Sequence, residues 1–181
     1  EGGPYGTTCA RVGCMPSKLL IAAADAKHHA DTAEVFGVRL AGETRVDGNA
    51  VMKRVQSERD RFVGFVTRSV DKYPAEQKVR GWAAFTGPND LEVALEDGGA
   101  LAVHARAIVI ATGSEAWTPP PFQKLGDRLL TNDEIFELEQ LPKSVAVVGT
   151  GVIALELGQA LSRLGVRVTL FNRSQRVGPL R

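Results

Sequence analysis

The residues that most restrict this chain lie near its end. Gly149-Thr150-Gly151-Val152-Ile153-Ala154 stands between an apolar run, Ser144–Val148, and an Ala/Leu-rich stretch, Val152–Leu164. Gly165 closes that stretch, and a second apolar run, Val166–Phe171, follows it. Strand, glycine turn, helix and strand in that order predict a βαβ unit with parallel strands. The hexapeptide fits G-x-G-x-x-G/A. Its first glycine permits the tight turn, the second lets a pyrophosphate approach the backbone, and the small Ala154 lets helix and strand pack closely. The helix N-terminus adds N–H donors and the positive end of a dipole. The pattern points to dinucleotide binding around Gly149, Gly151, Val152 and Ile153, with an ordinary tight βα turn as the plainer reading.

The end of the second strand reports on the nucleotide. An acid there suits the ribose 2′-OH of NAD, and an arginine nearby suits the 2′-phosphate of NADP. Here Asn172 takes the acid's place, Arg173 follows it and Arg176 is close behind. This leans toward NADP. The bland alternative is a set of solvated loop charges.

Composition narrows the class. The chain has 181 residues, enough for one domain or one and a fraction. At 44% hydrophobic and 24% charged residues it reads as globular rather than disordered. A formal net charge of +1 gives no field to steer it to nucleic acid or an anionic membrane surface. No apolar run approaches the roughly 20 residues of a membrane helix. Position 1 is Glu and no signal peptide opens the chain, so the start of the gene product is expected elsewhere.

Two cysteines, Cys9 and Cys14, are too few for a disulfide-stapled secreted scaffold and suggest a cytoplasmic protein. They stand before Pro16, which suits the first turn of a helix. A thiol near a helix N-terminus is favoured as thiolate, the form needed for disulfide exchange. Spacing alone leaves three readings: a reactive redox pair, part of a metal site, or two inert thiols. His28 and His29 match no standard zinc spacing and read as surface residues of that helix; His104 reads as a strand residue.

Between these ends the periodicity predicts a helix over Ser17–Ala33. A long amphipathic helix runs from the N-cap Asp47 to Tyr73, with Val51, Val55, Phe62, Val66, Val70 and Tyr73 on its apolar face. Gly81–Thr86, Leu91–Leu95 and Leu101–His104 read as an antiparallel meander, and Ala107–Ile110 as a buried strand delivering Ala111-Thr112-Gly113. Trp117 to Pro121, with three consecutive prolines, reads as a stiff linker. Thr131-Asn132-Asp133-Glu134 offers a short capped helix.

Gly6-Thr7-Thr8-Cys9-Ala10-Arg11-Val12-Gly13-Cys14-Met15-Pro16-Ser17-Lys18 closely resembles the active-site signature of the class I pyridine nucleotide-disulfide oxidoreductases. Gly81–Thr86, Ile110–Ser114, Leu130–Phe136 and the glycine fingerprint fall in that family's order. The Pro-Ser-Lys ending and the Thr-Asn-Asp stretch look closest to its dihydrolipoamide dehydrogenase-like branch. Thr7 departs from the pattern, where the family usually has a second Gly.

The resemblance implies an α/β fold of Rossmann-like FAD- and NAD(P)-binding domains, three-layer ββα, with an antiparallel meander. Both domains are expected to be incomplete here. Residues 1–118 would be part of an FAD domain, 119–142 a linker, and 143–181 the first part of an NAD(P) domain. The FAD-binding βαβ and the C-terminal interface domain, with its acid–base pair, have no counterpart in the sequence. The chain is thus expected to be an internal fragment, inactive alone, of a homodimeric flavoenzyme.

Roles carried over by position make Cys9 the interchange thiol and Cys14 the sulfur beside the flavin, the two forming a redox-active disulfide. Lys18 and Glu156 match an ion pair near the flavin N5. Glu1, Gly6, Thr8, Ala83, Ala111, Thr112 and Gly113 match FAD contacts. The implied activity passes electrons between NAD(P)H, FAD, the disulfide and a small-molecule or lipoyl-type dithiol or disulfide. The rivals are a non-catalytic nucleotide-binding or interaction module of a degenerate family member, and a mercuric reductase-like enzyme.

Overall fold

A computed structural model describes residues 2–173 and 177–178. Glu1, Arg176 and Arg181 lie outside the described residues. The chain forms two compact units, Glu1–Thr8 with Val63–Glu115, and Cys9–Phe62 with Ala116–Arg181.

In the first unit, β1 (Gly81–Phe85), β2 (Asp90–Leu95) and β3 (Ala100–His104) form an antiparallel sheet in that order. The register pairs Ala83 with Val93 and Leu91 with Val103. The second turn needs Gly98, which sits at φ +93° where a Cβ would strain the backbone. The Gly99 amide donates to the Asp97 carboxylate across the same turn. Val93 is the buried apolar residue of the meander. The N-terminal segment is tied to this sheet by close packing at Gly2, where a Cβ would overlap the Trp82 indole. Arg80 stacks on Tyr5 at 4.8 Å and pairs with Glu96.

Ala107–Ile110 departs from expectation. It forms no strand, and Val109 and Ile110 are 87% and 73% exposed. A buried parallel strand needs hydrogen-bonding neighbours on its edges. Among the described residues none pairs with this run, so its apolar composition alone does not make it a strand.

The second unit is built on helices. α1 (Thr8–Arg11) leads into α2 (Cys14–Thr32), which begins three residues before the predicted Ser17. Pro16 occupies its first turn, as its missing N–H allows. α3 (Gly48–Asp71) starts at the predicted cap: the Ala50 amide donates to Asp47 Oδ1 at 3.0 Å. Its fully buried residues are Met52, Val55 and Arg59; of the predicted face, Val55 is buried, Val51 packs partly buried against the core, Phe62, Val66 and Val70 are half-buried, and Tyr73 is exposed. Arg59 is accommodated by ion pairs to Asp60 and Glu137. Thr131 and Glu134 form the expected reciprocal cap, with the Thr131 amide 2.6 Å from Glu134 Oε2. The helix they start, Glu134–Glu137, is a single 3₁₀ turn. Pro119 is extended, and from Pro120 to Arg128 the chain winds in 3₁₀ turns broken at Gly126, so the linker stays extended over less than the expected Trp117–Pro121.

The βαβ unit forms as read. β4 (Ser144–Val148) and β5 (Arg167–Phe171) pair in parallel, with α4 (Val152–Arg163) between them. Gly158 of α4 faces Val168 and Leu170 of β5. The core joins Leu20 and Ala24 of α2, Met52 and Val55 of α3, Ile135 and Phe136, and Leu157, Ala160 and Leu161 of α4. Two polar links cross from α2 to α4. Lys18 and Ser17 reach Glu156, and seven residues on from Lys18 and Glu156, Asp25 takes Arg163 Nη1 at 2.6 Å. Contacts that advance together along both helices make them parallel neighbours.

Candidate functional site

The second unit brings the cysteine signature together. Cys9 lies in α1 and Cys14 opens α2, both exposed and both as thiols. The Cys9 sulfur faces Cys14 and the first backbone amides of α2, those of Cys14 and Met15. The geometry corrects one expectation. The hydrogen bond with Cys14, together with desolvation and the charge of that neighbour, pushes the Cys9 thiol above its ordinary range. The backbone donors pull the other way and do not win. In the reduced pair the Cys9 thiol thus gives up its proton less readily than an ordinary thiol, against the simple helix-dipole reading.

Lys18 Nζ lies 2.8 Å from Glu156 Oε1 and Ser17 Oγ lies 2.9 Å from the same oxygen. These donors hold the Glu156 carboxyl below the usual carboxylate range, Lys18 contributing most, against the cost of partial burial. A carboxylate with a depressed folded-state pKa stabilises fully above its unfolded value, about 4.3, and loses that contribution as pH falls through the folded value. The expected result is that Glu156→Gln lowers Tm at pH 7. The gap between variant and wild type then closes as pH drops below about 4. A pH-independent gap in thermal melts would remove the ionic part of this link.

The glycine fingerprint is the second feature of this unit. Gly149 sits at φ +106° and its amide donates to the Phe171 carbonyl, joining the turn to the end of β5. Gly151 is the N-cap of α4, and no side chain among the described residues caps that helix. Apart from its immediate chain neighbours, no atom of the described residues lies within 4 Å of where a Cβ on Gly149 or Gly151 would sit. Val152 and Ile153 are exposed in the first turn of α4. An open glycine backbone at an uncapped helix N-terminus fits a phosphate group. Asn172 and Arg173 follow β5 directly, both exposed, and Asn172 Oδ1 accepts the Arg173 amide at 2.9 Å. Arg176 is outside the described residues.

The first unit holds the other predicted contacts. Gly6 has φ +115° and Gly113 has φ +73°, both in the region that favours glycine. A Cβ on Gly113 would lie 3.9 Å from Thr8 Oγ1. Ala83, Ala111, Thr112 and Gly113 are exposed. Glu1 lies outside the described residues.

Sequence reasoning passed over Ser17. It is 9% exposed and shares a buried stripe with Leu20 and Ala24. A polar side chain on an apolar stripe was the available signal. Arg59 carries the same signal on α3.

A family model for the pyridine nucleotide-disulphide oxidoreductases matches residues 3–180. The chain is 38% identical over 179 residues to Dihydrolipoyl dehydrogenase 3 of Pseudomonas aeruginosa, covering 96% of this chain and 37% of that protein. It is 42% identical over 182 residues to the mercuric reductase of Streptomyces lividans, covering 97% of this chain and 37% of that protein. Crystallised LpdA from Mycobacterium tuberculosis shares the fold, with a TM-score of 0.77 at 23% identity, over 99% of this chain and 39% of that one. The chain thus spans a little over a third of the length of the curated relatives it matches.

Proposed function

This chain belongs to the pyridine nucleotide-disulphide oxidoreductase family, and from that premise we propose that it serves a flavin-dependent enzyme moving electrons between NAD(P)H and a dithiol or disulfide substrate. The family uses FAD and NAD(P)H. The observation that carries the reading is the Cys9 sulfur facing both Cys14 and the first amides of α2. That contact lets the two sulfurs exchange a bond without long-range rearrangement.

In the direction of substrate reduction, the Cys9 thiolate attacks one sulfur of a substrate disulfide. That S–S bond breaks, a mixed disulfide forms on Cys9, and one substrate thiolate leaves and takes a proton. Cys14 then attacks the Cys9 sulfur, releasing the second substrate thiol and closing the Cys9–Cys14 bond. The pair loses two electrons and two protons, and the substrate gains both. When bound, the flavin relays the two electrons from NAD(P)H that reopen the bond. A dithiol substrate runs the same steps in reverse.

In this reading Gly6, Thr8, Ala83, Ala111, Thr112 and Gly113, with Glu1, hold FAD, and Lys18 and Glu156 serve its reactive ring. Gly149, Gly151, Val152, Ile153, Asn172, Arg173 and Arg176 hold the nicotinamide nucleotide. Residues 1–118 then act as the flavin part, 119–142 as linker and 143–181 as the nucleotide part, in a cytoplasmic homodimer. A second reading, reduction of mercuric ion through the same thiols, is favoured by the 42% identity to a mercuric reductase.

The test is steady-state turnover of the flavin-loaded full-length protein with lipoamide and with Hg(II), each with NADPH and NADH. Lipoamide turnover is expected. Turnover with Hg(II) alone supports the second reading, and none with either overturns both. NADPH is expected to be used at least as well as NADH. A charge-assisted phosphate contact is worth about 1.5–3 kcal/mol, roughly 10–150-fold. Arg173→Ala should therefore lower kcat/KM for NADPH by about tenfold or more and leave NADH little changed. Equal losses with both would show that Arg173 does not read the phosphate.

A further inference from the structure

Ser17 is the buried residue at which the cysteine helix meets the carboxylate of α4. Its hydroxyl lies 2.9 Å from Glu156 Oε1 and 3.3 Å from its own helix's Cys14 carbonyl. A serine hydroxyl carries one proton. The shorter distance and the charged acceptor direct that proton to Glu156. The other donor on Oε1, Lys18 Nζ, comes from a side chain 65% exposed, against 28% for Glu156. An exposed ammonium on a flexible stem fixes a carboxylate poorly, since holding two long side chains in one geometry costs entropy. A short hydroxyl on a packed helix position does not have that freedom. The backbone of Ser17 is fixed as well, its amide donating to the Gly13 carbonyl.

We propose that Ser17 is a positioning residue: it sets the Glu156 carboxylate in place, and through it Lys18, one helical turn from Cys14. This rests on the flavin-disulfide reading above, in which Lys18 and Glu156 work beside the same ring as Cys14. The charged pairs that cross from α2 to α4 are Lys18–Glu156 and, seven residues on, Asp25–Arg163. Of these groups, Lys18 reaches Glu156 directly. Losing Ser17 leaves Oε1 with the mobile donor alone.

The experiment is a double-mutant cycle with Ser17→Ala, Ser17→Thr, Glu156→Gln and Ser17→Ala/Glu156→Gln in the flavin-loaded full-length protein. Two readouts are followed, kcat and the Glu156 carboxyl titration by ¹³C NMR on the labelled chain without cofactor. Ser17→Ala is expected to lower kcat by about 10- to 100-fold, the scale of a sub-ångström to 1 Å misplacement of a working group. It should leave KM for NAD(P)H near wild type and move the Glu156 titration upward. Ser17→Thr, which keeps the hydroxyl, should restore most of kcat and the low titration. In the Glu156→Gln background, Ser17→Ala should cost little more, because its acceptor charge is already gone.

Fully additive losses would overturn the proposal and assign Ser17 to packing or to the Cys14 carbonyl. So would an unmoved Glu156 titration in Ser17→Ala, a measurement that stands even if Ser17→Thr folds poorly. A wild type with neither bound flavin nor disulfide turnover would instead sink the functional reading, while the NMR arm still tests Ser17.

Discussion

In the full-length flavoenzyme proposed above, Cys14→Ser and Cys9→Ser are each expected to lower disulfide turnover by at least about 10³-fold, because each removes a sulfur that must form and break a bond. The two losses should differ in kind. Cys9→Ser leaves Cys14 able to stand beside the flavin, so the long-wavelength absorbance of a thiolate next to oxidised flavin is expected to persist. Cys14→Ser should abolish that band while Cys9 stays open to alkylation. The alkylation rate of Cys9 should rise with pH through a range above that of an ordinary thiol, since Cys14 and desolvation push its pKa up. Replacing Cys14 removes the leading cause and should bring that range down. Thiol titration of the wild type should gain two groups on reduction. Two unreactive thiols in both states would leave the cysteines as structural residues and overturn the assignment, as would serine variants with undiminished turnover.

What could be read from the sequence follows the range of the interactions involved. Strand, glycine turn and helix at Ser144–Arg163 are set by neighbours a few residues apart, and the parallel pair formed over the residues expected. The Asp47 cap and the Thr131–Glu134 cap are local in the same way, each a side chain satisfying amides within its own first turn. Ala107–Ile110 shows the limit. Its apolar run is compatible with a central strand, but strand formation depends on partners far away in sequence, and none pairs with it among the described residues. Periodicity puts Val51 and Val55 of α3 at the core but passes over Arg59, which is buried there on the strength of acids that pattern alone cannot bring near. At the site, the signature made Lys18 and Glu156 legible as partners. Ser17 was not, since a hydroxyl has no pattern of its own and gains meaning only when the packing of α2 on α4 brings a carboxylate to it.

The largest fully buried side chain in that packing gives the largest expected loss of stability. Phe136 is 1% exposed on a 3₁₀ turn, in the cluster that holds Leu20 and Ala24 of α2, Met52 and Val55 of α3, and Leu157 and Leu161 of α4. So short a turn has little stability of its own. Its position is held by Gln56 Nε2, 3.0 Å from the Phe136 carbonyl and 3.1 Å from that of Leu138, and by Arg59 on Glu137. These polar ties survive truncation of the ring, so the surroundings are held apart and collapse poorly onto the gap. Phe136→Ala should then cost about 3–5 kcal/mol, a large part of the roughly 5–15 kcal/mol of an ordinary domain. Phe136→Leu, which retains most of the apolar volume, should cost clearly less. Urea denaturation reads both as a lower midpoint at unchanged slope. Because the same cluster presses α2 against α4, the Ser17 and Lys18 bonds to Glu156 should weaken in Phe136→Ala even below its unfolding midpoint. The Glu156 carboxyl titration would then move upward, toward that of an ordinary glutamate. An unchanged midpoint in Phe136→Ala would mean that the α2–α4 seam is held by its polar links and not by this core.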